Sequence, residues 1–141
     1  MAFFDSRVSV FQLDDTGNTL RDISAYITEI GGIPGARNLN DVTALSDTGI
    51  KHIPGLEDVT IALSGHWDDT TTTGPDAILG PLRTHTAALD WDFGPSGKGS
   101  GVEKYSGTFW LENYEIQSRV GSQVTWSATL RVEGAVARGT Y

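Results

Sequence analysis

Apolar and polar residues alternate with a period of two over much of the chain. The clearest case lies near the C-terminus, where apolar residues occupy every second position of residues 124–132. The polar residues between them would then share the opposite face of one strand. Residues 59–67 follow the same rule. Both segments are therefore predicted to be strands with one buried face and one solvated face.

Residues 104–117 are predicted to form a third long strand, but their apolar positions change face partway. Phe109 and Leu111 lie on one parity, whereas Trp110, Tyr114 and Ile116 lie on the other. A β-bulge, or burial on both faces, would account for this change. A turn around Gly121 is predicted to join this strand to the last one in a long hairpin.

The remaining elements are shorter. Strands are predicted over residues 7–13, 23–30, 38–44 and 88–93. One short or kinked helix is predicted to begin at Pro75, because Pro suits the first helical position and Thr73 or Gly74 can cap it. The chain is thus expected to be one mainly β domain over residues 1–141. We expect a β-sandwich or barrel with one flanking α-helix, long inter-strand loops, and flexible arms at residues 1–6 and 134–141.

Composition limits the function classes. The 141 residues carry 18 acids against 10 bases, a net charge of −8, which is unsuited to gripping nucleic acid through its phosphates. The absence of Cys excludes a disulfide framework and thiol catalysis. No signal peptide is expected from the first residues, and no apolar stretch approaches the length of a membrane span.

The motifs that could carry chemistry are weak. Asp47-Thr48-Gly49 is the triplet of aspartic proteases, and a chain of this length would need to dimerise to supply the second carboxylate. Asp and Gly are also ordinary turn residues. His66 with Asp68, and the pair Asp90 and Asp92, are more simply explained as solvated strand positions. We therefore expect no enzymatic activity, no cofactor and no metal site.

The order of elements over residues 22–69 gives a more specific indication. A strand is followed by a turn rich in Gly and Pro, then "DVTALSDTG", a polar loop, "PGLED" and a strand that ends in "DD". This run resembles the tail tube protein (major tail protein) of long-tailed bacteriophages, or of a related particle such as a gene transfer agent. The resemblance implies a structural subunit whose six-copy rings stack into a hollow tube that conducts DNA and the tape-measure protein.

The resemblance also implies partners and a location. Other copies of the chain, the tail terminator and the baseplate or distal tail proteins would be its partners, and DNA would pass without specific binding. The subunit would lie in the tail of a virion or phage-like particle, after assembly in the bacterial host cytoplasm. A soluble β-sandwich binding module, for example for carbohydrate, and the homodimeric aspartic protease remain alternatives. Against a sugar platform, Trp67, Trp110 and Trp126 occupy alternating positions that favour the core.

The resemblance places two candidate surfaces. The loop at residues 46–58 would reach toward a neighbouring subunit or ring, with its apolar residues as contact points. Its candidate residues are Asp47, Ile50, Lys51, Ile53, Leu56 and Glu57. A polar strand face would line the channel, with Glu133 expected to offset the charge of Arg131. Its candidates are Thr60, Ser64, His66, Thr125, Ser127, Thr129, Arg131 and Glu133.

Overall fold

The computed structural model describes residues 3–141, and strands account for most of its regular structure. Short 3-10 helices occur at Ser6–Val8 and Ser24–Tyr26. The α-helix, α1, spans Pro75–Leu82. The strands are β1 (Val10–Asp14), β2 (Leu20–Asp22), β3 (Ile27–Gly31), β4 (Arg37–Asp41), β5 (His52–Glu57), β6 (Thr60–His66), β7 (Leu89–Gly94), β8 (Glu103–Gln117) and β9 (Thr125–Thr140). This agrees with the expected class, mainly β with one flanking helix.

Seven strands form one antiparallel sheet in the order β2-β1-β7-β8-β9-β6-β3, and β4 and β5 pair separately. The sheet is wrapped around a single core. Phe11 on β1 and Ile61 on β6 belong to the same buried cluster although three strands lie between β1 and β6 in the sheet. Ile78 and Leu79 of α1 complete this cluster, so one side of the sheet is enclosed and the other side faces outward.

The period-two pattern predicts the burial of β6 and β9 correctly. Ile61 and Leu63 on β6 are buried, as are the alternating residues of β9 from Trp126 to Val132. The polar residues between them lie on the outward side. Each fully buried large aliphatic side chain contributes roughly 1.5–3 kcal/mol of transfer free energy, so this alternation fixes which face of each strand is turned inward.

A β-bulge explains the change of parity in β8. Leu111 pairs with Leu130 and Asn113 pairs with Thr129, so Glu112 has no residue opposite it on β9. Before the bulge Phe109 points into the core. After it Tyr114 packs against the core opposite Ala128, and Ile116 lies on the same side opposite Trp126 but remains exposed. Placing Trp110 in the core was wrong. It lies just before the bulge on the outward side, opposite Arg131, and is 38% exposed.

The helix begins as predicted, with Gly74 as N-cap and Pro75 at its first position. It is only eight residues long, and Pro81 lies within its last turn. Leu82 and Leu79 are buried on its inner face. No helix of the described residues is long and apolar enough to cross a membrane.

Several boundaries differ from the predictions. The start of the 7–13 segment is a 3-10 turn, β2 was not predicted, and residues 52–57 form a strand where a loop was expected. Residues 134–140, expected to be a flexible arm, continue β9 and pair with the beginning of β8. The Tyr141 hydroxyl then donates a hydrogen bond to Asp92 at 2.9 Å. Of the expected N-terminal arm, residues 1 and 2 lie outside the described range and residues 3–5 have no regular structure.

Candidate self-assembly surfaces

The first candidate surface is a hairpin arm, residues 37–57, formed by β4, β5 and the segment between them. Asp41 pairs with His52 and Leu39 pairs with Pro54, with a register shift nearer the base. Neither strand pairs with the seven-stranded sheet. Every arm residue is exposed except Asp47 and Gly55, which are half-buried. The arm thus projects from the domain without contributing to its core.

This arm carries more exposed apolar surface than its polar sequence suggests. Leu56 is 86% exposed, Ile50 73% and Ile53 53%, as expected for contact points that are free in an isolated subunit. Three further exposed apolar residues of the arm were not predicted as contact points: Leu39, Val42 and Leu45. These residues lie in and just after a short strand, and their spacing shows no periodic pattern that would predict a shared surface. Apolar groups collected on a projecting element are typical of surfaces that become buried on association.

Asp47 stabilises the tip of the arm. Its Oδ2 accepts a hydrogen bond from the Ala44 amide at 2.7 Å, and its Oδ1 lies 2.7 Å from Lys51 Nζ. The Lys51 ammonium, followed by the Ala44 amide, holds the pKa of Asp47 below its ordinary value. Both contacts lie within one turn of the chain, so the surroundings of Asp47 in its own subunit are those of a turn residue.

Replacement of Asp47 by Asn should leave the fold and any assembly intact, because an amide oxygen can still accept from Ala44. Since the folded-state pKa of Asp47 is lowered, its charge adds stability above its unfolded-state pKa, and this is lost as the pH falls through the folded-state value. Thermal melts of both proteins should differ slightly at neutral pH and converge in acid. Acid-optimal peptidase activity that disappears in the variant would instead revive the protease hypothesis.

Charged groups connect the base of the arm to β9. Arg131 Nη1 lies 3.0 Å from Asp58 Oδ1, and its Nη2 lies 3.2 Å from Glu112 Oε1. Asp58 directly follows the arm, and Glu112 is the extra residue of the β8 bulge. Glu57, predicted to contact a neighbour, accepts a hydrogen bond from the Val136 amide of its own chain at 3.1 Å. The ion-pair partners of Arg131 in the described residues are Asp58 and Glu112, so Glu133, expected to offset the charge of Arg131, would do so from the same face without a direct ion pair.

The second candidate surface is the outward side of β3, β6, β9 and residues 110–117 of β8, here called the outer face. The structure brings the predicted residues together there in direct cross-strand pairs. Thr60 pairs with Arg131, Ser64 with Ser127, and His66 with Thr125, while Thr129 faces Ala62. Glu133 continues the same side of β9.

The outer face also includes polar residues that the sequence pattern does not predict. From β8 it gains Asn113, Glu115 and Gln117, and from β3 it gains Glu29. The β8 residues could not be assigned to this face from the sequence, because the bulge reverses their parity relative to Trp110. Three acids, Glu29, Glu115 and Glu133, thus accompany the single arginine, whose charge is already shared by two further carboxylates. The face is polar and acidic.

The remaining polar sites lack the features of a sugar-binding or metal-binding site. A cavity of about 550 Å³ is lined by Asp14, Asp90, Asp92 and Lys104 among others, and burial raises the pKa of Asp14 and of Asp92. Its one aromatic residue, Trp91, is only 1% exposed and offers no ring for a sugar to stack on. Within residues 3–141, no cluster of three His, Asp or Glu side chains could hold a metal ion.

Comparison with known proteins identifies the fold. No protein-family model and no curated protein matches the chain. Among solved structures, a chain of the native gene transfer agent virion superposes with a TM-score of 0.77 at 14% identity, covering 98% of this chain and 100% of that one. A chain of the SPP1 tail tube superposes with a TM-score of 0.77 at 14% identity, and the match covers 99% of this chain and 80% of that one.

A chain of the PVC sheath-tube complex in its extended state, an extracellular contractile injection system, gives a TM-score of 0.71 at 10% identity. That match covers 99% of this chain and 93% of the other. The protein therefore has the fold of tail tube subunits. The resemblance predicted from residues 22–69 is confirmed at the level of the fold over nearly the whole chain.

Proposed function

We propose that this chain is the structural subunit of a phage-type tail tube, in which six copies form a ring and rings stack around a channel for DNA. The observation that carries the proposal is a four-stranded segment with two open edges. β3 is the outermost strand of the sheet. Residues 110–117 of β8 lie beyond the part that pairs with β7, and within the described chain they have β9 on one side only.

The strand directions allow such a segment to close into a ring. In the order β8-β9-β6-β3 each neighbour is antiparallel to the last. Because four is an even number, β8 of a second copy placed beside β3 would again be antiparallel. Every copy could therefore extend the sheet in the same way, and a closed barrel would leave no edge strand exposed. For comparison, the tail of an empty gene transfer agent particle has C6 symmetry.

The outer face would then line the channel. Its small hydroxyl groups and excess of acids offer little to the phosphates of DNA, whose retention depends on Lys and Arg. Thr125, Ser127 and Thr129 would form a neutral ladder along the wall, while Arg131 is held by Asp58 and Glu112. DNA, and the tape-measure protein before it, would pass without specific binding.

The hairpin arm would join one ring to the next. Its apolar residues are largely exposed, and its base is anchored to β9 by Arg131 and Glu57. The ends of the tube would meet a terminator and a baseplate or distal tail protein. Similar folds occur in structures of a sheath/tube terminator, a tube cap and a baseplate. The protein would thus be located in a particle tail, after assembly in the host cytoplasm.

Purified protein is expected to self-associate into rings or tubes as its concentration rises. Analytical ultracentrifugation over a wide concentration range, with negative-stain microscopy of the same samples, would measure this. Hollow tubes or rings of uniform width support the proposal. A strictly monomeric species at every salt and protein concentration, especially one that binds a glycan, would favour the binding-module alternative.

A further inference from the structure

Ile116 is an apolar side chain on an open strand edge, turned toward the core side of the sheet yet not covered by its own subunit. It lies opposite Trp126 on β9, so it shares the side on which the core is built. Trp126 is only 1% exposed, whereas Ile116 is 49% exposed. The difference arises because β8 has no further neighbour beside residues 110–117 in the described chain.

The opposite open edge of the same segment carries an empty groove. It has a volume of about 200 Å³ and runs along β3. Its apolar lining is Ile27, Ile30 and Phe93, and its polar lining is Thr28 and Glu29 of β3 with Ser6, Ser9 and Ser24. Ile30 pairs with Leu63 and Ile27 pairs with Gly65, which are both buried positions of β6. The apolar part of the groove therefore lies on the core side of the sheet and has room for one aliphatic side chain.

We propose that Ile116 of one subunit seats in this β3 groove of the next subunit, directly opposite Ile30. The inference rests on the proposed ring, and it adds the residue, the receptor and the register. In an antiparallel pair, residues directly opposite each other point to the same side of the sheet. Ile116 and Ile30 both point to the core side, so the pairing extends the core of one subunit into that of its neighbour.

Charge disfavours one of the two nearest alternatives, and the apolar contact disfavours the other. With Ile116 opposite Ile30, Gln117 lies opposite Glu29 and Glu115 lies opposite Gly31, which has no side chain. Arg119 then lies diagonally across from Glu29, within reach of a long side chain. A shift that brings Tyr114 opposite Ile30 would place Glu115 against Glu29. Like charges directly opposite each other are destabilising. With Ser118 opposite Ile30, Arg119 would meet Glu29, but Ile116 would lie opposite Gly32 and outside the groove.

Disulfide trapping tests this contact directly, since the chain contains no native Cys. In the Ile30→Cys/Ile116→Cys double variant the two Cβ atoms of adjacent subunits would lie roughly 5 Å apart, close to the span of a disulfide. Mild oxidation of assembled protein should convert most of it into a ladder of covalent multimers on a non-reducing gel. Each single variant should remain monomeric on the same gel.

The matched control is Ile30→Cys/Gln117→Cys, in which the second thiol moves by one residue to the other side of the sheet. This pair should give little cross-linking, because the Cβ vectors diverge. A ladder from Ile30→Cys/Tyr114→Cys in place of the first pair would overturn the register. Assemblies that form normally but give no ladder with Ile116 would overturn the contact and leave the ring intact. A parent protein that never assembles would overturn both.

Discussion

Replacing both Ile53 and Leu56 of the hairpin arm with Asp is expected to abolish tube formation and leave the isolated domain folded. The two side chains are 53% and 86% exposed, and within residues 3–141 neither belongs to the core cluster or to the residues packed against it. Their loss should therefore change the melting temperature little. In a stacked tube they would be buried, and each would become a carboxylate that must be desolvated or displaced from the contact.

The expected increase in the protein concentration needed for assembly follows from interface energetics. Truncating one buried apolar anchor costs roughly 2 kcal/mol or more at a protein interface. Since ~1.4 kcal/mol is a factor of ten, two such losses should raise the concentration needed for assembly at least about a hundredfold. Light scattering against protein concentration would measure that threshold, and a thermal melt of the same samples would report the fold.

The matched control is Ile53→Leu with Leu56→Met, which keeps the arm apolar at nearly constant volume. It should assemble close to the parental threshold. If the Asp variant unfolds, the two residues contribute to the stability of the domain and the role assigned to the arm is wrong. If it is folded and still forms tubes at the parental concentration, the rings are held together by other surfaces.

The sequence predicts the strands and their buried sides better than it predicts which residues share the outer face. Burial of alternate residues is a local property, so β6 and β9 could be read directly from their period of two. The outer face depends in addition on register. Glu115 and Gln117 join it only because the bulge at Glu112 reverses the parity of β8. The apolar pattern indicated that a bulge was possible but did not locate it, nor reveal that Glu112 would meet Arg131.

The hairpin arm shows a different limit. Residues 52–57 include Pro54 and Gly55, which are poor strand formers, and they carry no alternation. They form a strand because β4 pairs with them, and that partner lies about a dozen residues earlier in the chain. Similarly, residues 134–140 contain two glycines and resemble a flexible tail, yet they extend β9 along the first part of β8. In both segments the strand conformation depends on pairing with a separate strand, which the local sequence does not reveal.

The strongest test of the channel itself is to add cations to its proposed wall. Changing Thr125, Ser127 and Thr129 to Lys should leave tubes able to form, because all three lie on the outward side of β9 and none is fully buried. Lys stems can lie along the wall while the ammonium groups remain in water. Three added cations per subunit would, however, face the passing phosphates.

DNA should then be retained in the channel, with inhibition that is relieved as salt rises. Binding through Z neutralised phosphates weakens with a log–log salt slope of about −0.9Z, so even a few contacts per ring make passage strongly salt-dependent. Particles carrying the variant should eject their DNA slowly at low salt and recover at high salt. A triple change of the same residues to Gln, which is polar and neutral, should eject normally under both conditions.

Two results would contradict the assignment of these residues to the channel wall. If the Lys variant forms tubes and ejects DNA at the parental rate in low salt, these residues do not face the DNA. If thiol-specific labels at Ser127→Cys react in intact tubes with reagents too large to enter the channel, the residue lies on the outside. The sheet that lines the tube would then be the β2-β1-β7 half, whose outward side carries the exposed Asp22 and Asp90. Because that half is also acidic, the net charge of the wall cannot distinguish the two arrangements, whereas the position of Ser127 can.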